Sequence, residues 1–90
     1  LNIALDYDGT YTADSTLWDR FVADAKERGH KVWIVTCRRD TDENREDIGR
    51  PAGCLVLFTN LSAKRWALEQ RGLRVDVWID DDPDCVMRGK

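Results

Sequence analysis

The sequence has 90 residues, enough for one small domain, and its net charge of −3 excludes the basic field of a protein that finds nucleic acid or an anionic membrane by charge alone. A hydrophobic share of 42 % with four tryptophans excludes a disordered acidic tail. No apolar run reaches bilayer length and no stretch reads as a signal peptide, so no membrane partner is expected.

Cys37, Cys54 and Cys85 are widely spaced and form no Cys-x-x-Cys pair. That speaks against a disulfide framework or a zinc site and predicts a reducing, cytoplasmic compartment.

Ile3 to Tyr7 reads as a short apolar strand ended by the turn at Gly9. Asp6 and Asp8 lie where that strand runs out. Two carboxylates at about 4 Å repel by on the order of 4 kcal/mol at an effective dielectric near 20. A shared proton, a cation or a nearby base must offset that repulsion. Gly9 permits a sharp turn, and Thr10 can hydrogen-bond within it. After a polar loop, Asp14, Ser15 and Thr16 are N-cap candidates for a helix. Its residues Leu17, Trp18, Phe21, Val22 and Ala25 share one face, and Gly29 stops it. Trp18 and Phe21 read as core, and His30 as a solvated turn residue.

Val32 to Val35 is a continuous apolar run, as in a strand covered on both faces. It ends at Thr36-Cys37-Arg38-Arg39. A helix joining two such strands is a βαβ unit with parallel pairing, which puts Thr36 at the same sheet edge as Asp6. The Thr36 hydroxyl there can cap a turn or bind an oxyanion. Cys37, beside the candidate site, reads as a small packing residue or a reactive thiol, and Arg38 as a substrate contact or a solvated cation. Asp40 to Gly53 is polar and irregular, with a short helix through Glu43 to Ile48 and charges that read as a solvated, mobile surface.

Leu55 to Thr59 is a third buried strand. Asn60 or Ser62 caps a helix through Ala63, Trp66, Ala67 and Gln70, stopped by Gly72. Lys64 falls in its first turn, against the helix dipole; it lies on the surface or is aimed at an anion. Val75 to Ile79 is the fourth strand. It ends in Asp80-Asp81-Asp82, and Pro83 breaks any continuation. No fifth strand is evident.

This order of elements is that of an open parallel sheet, whose ligands sit at strand carboxyl ends. Those ends supply Asp6 and Asp8, Thr36, Lys64, and Asp80 with Asp81. Carboxylates without histidine or cysteine ligands suit Mg²⁺. A hydroxyl and an ammonium beside the cation suit a phosphoryl group. Asp6 can then serve as nucleophile through an aspartyl-phosphate, with Asp8 as the acid and base.

The sequence resembles the haloacid dehalogenase-like (HAD) phosphohydrolases over nearly its whole length. Asp6-x-Asp8-Gly9-Thr10 is similar to their first motif, Val32 to Thr36 to the second, Lys64 at a helix start to the third, and Ile79-Asp80-Asp81 to the fourth. In size it resembles the very short, capless members encoded by phages. The resemblance implies a Rossmann-like α/β fold and a Mg²⁺-dependent phosphatase. In it Asp6 is nucleophile, Asp8 acid and base, and Thr36 and Lys64 bind phosphate. The metal is held by Asp6, the Asp8 carbonyl and a motif-four aspartate, Asp81 directly with Asp80 in support. The expected strand order is 3-2-1-4, with the first helix on one face and the helix from Ala63 on the other. Asp6 then meets Asp81 at the switch point. An arginine after a similar strand occurs in the phosphatase half of polynucleotide kinases, so the expected substrate is a nucleotide or a nucleic-acid end.

The loop between Gly9 and the first helix and the segment Asp40 to Gly53 are too short for a cap domain, which favours a large substrate, a small promiscuous set of substrates, or a second copy of the chain as cover. The alternative is a non-catalytic HAD-like interaction module. A phospho-accepting receiver domain would need its acceptor aspartate at the end of the third strand, where Phe58-Thr59-Asn60 stands.

Overall fold

Apolar runs alternating with amphipathic segments give four parallel strands wrapped by helices, described over residues 1–88 of a computed structural model. The strands are β1 (Asn2–Asp6), β2 (Lys31–Thr36), β3 (Leu55–Phe58) and β4 (Val77–Ile79), and the helices are α1 (Ser15–Glu27), α2 (Asp42–Ile48), α3 (Lys64–Gln70) and α4 (Pro83–Met87). The sheet order is β3-β2-β1-β4, all parallel, as the sequence predicts. Leu5 is in register with Ile34 of β2 and Ile79 of β4, so Asp6 and Asp80 are the next residues out at the carboxyl edge.

Alternation along β1 and β2 divides the core in two. Ile3, Leu5, Val32 and Ile34 face α1 and pack with Val22, Ala25 and Cys54. Ala4, Trp33 and Val35 face the other way and pack with Leu68 of α3. The two crossover helices therefore lie on opposite faces. Trp18 and Phe21 are half-buried against the first cluster and meet edge to face at 5.7 Å.

Three local expectations are corrected. The central strands β1 and β2 are buried, but β3 and β4 are the sheet edges, and Leu55 and Val77 at their starts face solvent. Neither Asn60 nor Ser62 caps α3; the N-cap is Ala63, without a side-chain bond. The Asn60 side chain instead accepts the Asp40 N–H at 2.8 Å, and the Ser62 carbonyl accepts the Thr59 hydroxyl at 2.9 Å. Pro83 ends the β4 turn but also starts α4, because a proline at the first helical position loses no hydrogen bond there.

The polar segment is also more ordered by its chemistry than its composition suggests. Thr41 caps α2 by accepting the Asn44 N–H at 3.1 Å, and Asp42 and Glu43 complement the dipole of its first turn. Among the described residues, no helix is long and apolar enough to cross a membrane.

Candidate functional site

Asp6 is the last residue of β1 and stays buried as the strand reaches the edge of the core. Lys64 is the first residue of α3 and is only 2 % exposed. Of the two readings open for it, the surface one is excluded. Its ammonium donates to Asp6 Oδ1 at 2.6 Å and to Asp80 Oδ2 at 2.5 Å, tying the ends of β1 and β4 to the start of α3. A cation in that first turn opposes the helix dipole, and two carboxylates outweigh the dipole at contact distance.

Asp81 completes the group. One carboxylate oxygen from each of Asp6, Asp80 and Asp81 lies within 4.8 Å of the others. Thr10 sits between two of them: its hydroxyl oxygen is 3.0 Å from Asp6 Oδ2 and 3.1 Å from Asp81 Oδ1, and accepts the Asp81 N–H at 3.1 Å. Its single proton serves either carboxylate.

Gly9 leaves the room for this. It has φ +85°, and a Cβ there would stand 2.5 Å from Asp81 Oδ2. The turn therefore needs glycine both for its backbone and for the approach of Asp81.

The electrostatics follow from crowding three carboxylates around one ammonium. Burial pushes the Asp6 carboxyl up to about 6; Lys64 opposes that rise, while the Asp81 carboxylate beside Asp6 and the charge of Asp80 add to it. Asp81 moves the other way, held down by its hydrogen bonds with Asp6 and Thr10. The two carboxyls are thus pushed apart, Asp6 towards holding a proton and Asp81 towards giving one up. Burial disfavours the charge on Lys64, but its bonds to Asp6 and Asp80 outweigh that and raise its pKa.

Asp8 stands apart. Its two oxygens accept from Arg38 Nη2 at 2.7 Å and Nε at 2.9 Å, a bidentate pair. The same guanidinium donates to Asp47 of α2 at 2.6 Å and lies 5.5 Å from the centroid of the Tyr7 ring. Thr36 is fully buried, and its hydroxyl oxygen accepts the Arg38 N–H at 3.2 Å. Asp6, Asp8, Thr36, Arg38, Lys64, Asp80 and Asp81 all line one cleft of about 270 Å³.

Wider grooves of about 550 and 580 Å³ lie beside α3 and along β3. Volume does not single out the site; converging charge does.

Sequence reasoning missed Thr10 as the bridge and Asp47 as a partner of Arg38. Thr10 carried a signal, since it lies four residues past Asp6 across a glycine turn. Asp47 carried none, because a seven-residue polar helix has too few apolar anchors to fix which side faces the site. Comparison of the chain with protein-family models, curated proteins and solved structures returns no match.

Proposed function

We propose that the chain is a metal-dependent phosphatase that works through Asp6. The carrying observation is the triangle of Asp6, Asp80 and Asp81, running from the buried end of β1 to the exposed Asp81 and closed by Lys64 and Thr10 at the switch point of a parallel sheet. Its donors are all carboxylate oxygens, which fits a hard divalent cation such as Mg²⁺, held by Asp6 and Asp81 with Asp80 in support. Such a cation would neutralise the excess of carboxylates and polarise a phosphoryl oxygen.

The chain's own residues supply the rest. Lys64 and Thr10 fix both oxygens of Asp6, so its carboxylate is oriented before a substrate arrives. The carboxylate attacks phosphorus, the bond to the leaving oxygen breaks, and an aspartyl-phosphate forms. Water then attacks that phosphorus, releasing phosphate and restoring Asp6. Thr36 and Lys64 can each donate a hydrogen bond to a phosphoryl oxygen.

Asp8 is the acid that protonates the leaving oxygen and the base that activates water, help worth roughly 10² to 10⁴ in rate. Gripped by Arg38, it only accepts hydrogen bonds. A phosphate entering the cleft competes for that guanidinium, and the exchange releases Asp8 while Arg38 takes up the substrate. An open cleft of about 270 Å³ with an arginine at its rim suits a nucleotide or a nucleic-acid end.

The test is phosphate release from nucleotides, sugar phosphates and 3′- or 5′-phosphorylated oligonucleotides. It is run with Mg²⁺, with chelator, and with Asp6→Asn. Release that requires both the metal and Asp6 is expected. No release from any substrate by the folded chain would instead favour an interaction module, the reading to which the closed Asp8–Arg38 pair lends weight.

A further inference from the structure

The cleft contains two sulfurs that phosphate chemistry leaves without a task. Cys37 follows Thr36 directly after β2, and Cys85 belongs to α4; both are free, both are half-buried, and both line the cleft. Within that cleft of about 270 Å³ the Cys37 thiol is close enough to perturb the Cys85 thiol. The Cys85 thiol donates to Asp82 Oδ2 at 3.2 Å, and burial, that bond and the adjoining Cys37 thiol together push it up to about 12. The third thiol, Cys54, is buried in the core cluster under α1, away from both.

We propose that Cys37 and Cys85 form a reversible disulfide across the cleft, joining the end of β2 to α4 and closing the approach to Asp6 and Lys64. Two thiols from distant parts of the chain, brought together at the mouth of a site, are the arrangement a redox-responsive pair requires. Their wide spacing in sequence conceals the pairing.

The oxidant is a low-molecular-weight disulfide. The Cys37 thiolate attacks one of its sulfurs, forming a mixed disulfide and expelling one thiolate. The Cys85 sulfur then attacks the Cys37 sulfur, expelling the second thiolate, which takes up the Cys85 proton. In sum the two protein thiols lose two electrons and the reagent becomes two thiols. The Cys85 thiol, its proton held by burial and by Asp82, acts second.

The disulfide stands independently of the phosphatase reading; only the loss of activity rests on it. The whole chain is exposed to oxidised glutathione, its remaining thiols are alkylated, and its peptides are mapped by mass spectrometry. The expected result is loss of two of the three thiols, one intramolecular link between Cys37 and Cys85, and full reversal by dithiothreitol. Cys85→Ser should retain glutathione on Cys37 and lose no second thiol. Separate adducts on the two cysteines, a link through Cys54, a link between two chains, or no reaction by the folded protein would each overturn the proposal.

Phosphate release should fall at least tenfold in the linked chain and recover on reduction, while a Cys37→Ser, Cys85→Ser double variant should not respond to the oxidant. An unchanged rate in the linked chain would refute the closure. A reduced chain that releases no phosphate would count against the phosphatase, and the linkage map would still decide the disulfide.

Discussion

Lys64 and Arg38 each hold two aspartates, and the two networks lie in the same cleft. Their surroundings differ. The Lys64 side chain is 3 % exposed and its partners Asp6 and Asp80 are nearly as buried, whereas Arg38 is 27 % exposed and its partner Asp47 is 64 % exposed. Inside, attraction is strong and a lost partner leaves a buried charge unpaired. Outside, water and salt can substitute for either partner at little cost. The inner network is therefore a fixed frame, and the outer one an exchangeable grip. A site that must hold its nucleophile still and yet admit a charged substrate needs one of each.

Removing Lys64 tests this contrast most severely. Lys64→Met keeps much of the side-chain volume but leaves Asp6 and Asp80 buried without their cation. Breaking a buried pair in this way costs roughly 3–5 kcal/mol. In a domain of this size that lowers Tm by about 12 °C or more. Thermal melts at pH 7 without metal measure it. A fall of only a few degrees would mean that the inner network behaves like the outer one.

The next effect is a pH dependence. The Asp6 carboxyl is raised from its ordinary 3.8 to about 6, mainly by burial. The folded state therefore binds its proton more tightly than the unfolded state. The stability this contributes is fully present below about pH 4 and is lost as pH rises through 6, on the order of 3 kcal/mol in all. Asp81 is shifted down and works in the opposite sense, losing its contribution as pH falls below its ordinary value. Between pH 4 and 6 the Asp6 trend dominates, so the metal-free chain should become less stable on going from pH 5 to pH 7. Asp6→Asn, which imitates the protonated acid, should flatten that slope. Added Mg²⁺ should stabilise the chain more at pH 7 than at pH 5, because metal and proton compete for the same oxygens. A metal-free Tm that climbs from pH 5 to pH 7 would show that Asp6 is not the group carrying the proton.

How much of this could be read from the chain depends on what each residue's neighbours fix. The parallel sheet and its order were legible because each strand is an apolar run ending in a polar residue. The βαβ rule then places those ends together. The meeting of Asp6, Asp80 and Asp81 follows from the same rule. The burial of Lys64 does not. α3 is seven residues long, and Lys64, Ala67 and Leu68 point inward while Trp66, 58 % exposed, points out. Two turns of helix are too few for periodicity to decide between a tryptophan face and a lysine face, and hydrophobicity alone favours the wrong one. α4 was hidden for a different reason: Pro83 can stop a strand and start a helix at once. Cys37 and Cys85 reach the same cleft from the loop after β2 and from α4, whose relative placement no local pattern encodes.

Gly9→Ala gives a smaller effect of the same kind as Lys64→Met. The new Cβ would lie 2.5 Å from Asp81 Oδ2 on a backbone with φ +85°. The backbone strain costs about 1–3 kcal/mol, and Asp81 must turn away from Asp6 and Thr10. Because the damage falls on the carboxylate expected to hold the cation, stabilisation by added Mg²⁺ should shrink along with Tm. A variant that loses Tm but keeps its full Mg²⁺ response would mean that Asp81 is not a ligand.

The smallest effect on stability belongs to Arg38→Ala. The variant gives up a bidentate contact to Asp8, a contact to Asp47 and the face of Tyr7. None of those groups is left stranded, since Asp8 and Asp47 are mostly exposed and water hydrates them at once. The loss should therefore stay near 1 kcal/mol, the upper range for an exposed pair with some aromatic contact. Its kinetic effect should be out of proportion to that loss. If the guanidinium exchanges Asp8 for an incoming phosphate, its removal raises KM while Asp8, already released, keeps kcat within a few-fold. If Arg38 were only a clamp on α2, Tm and kcat would fall together and KM would hold.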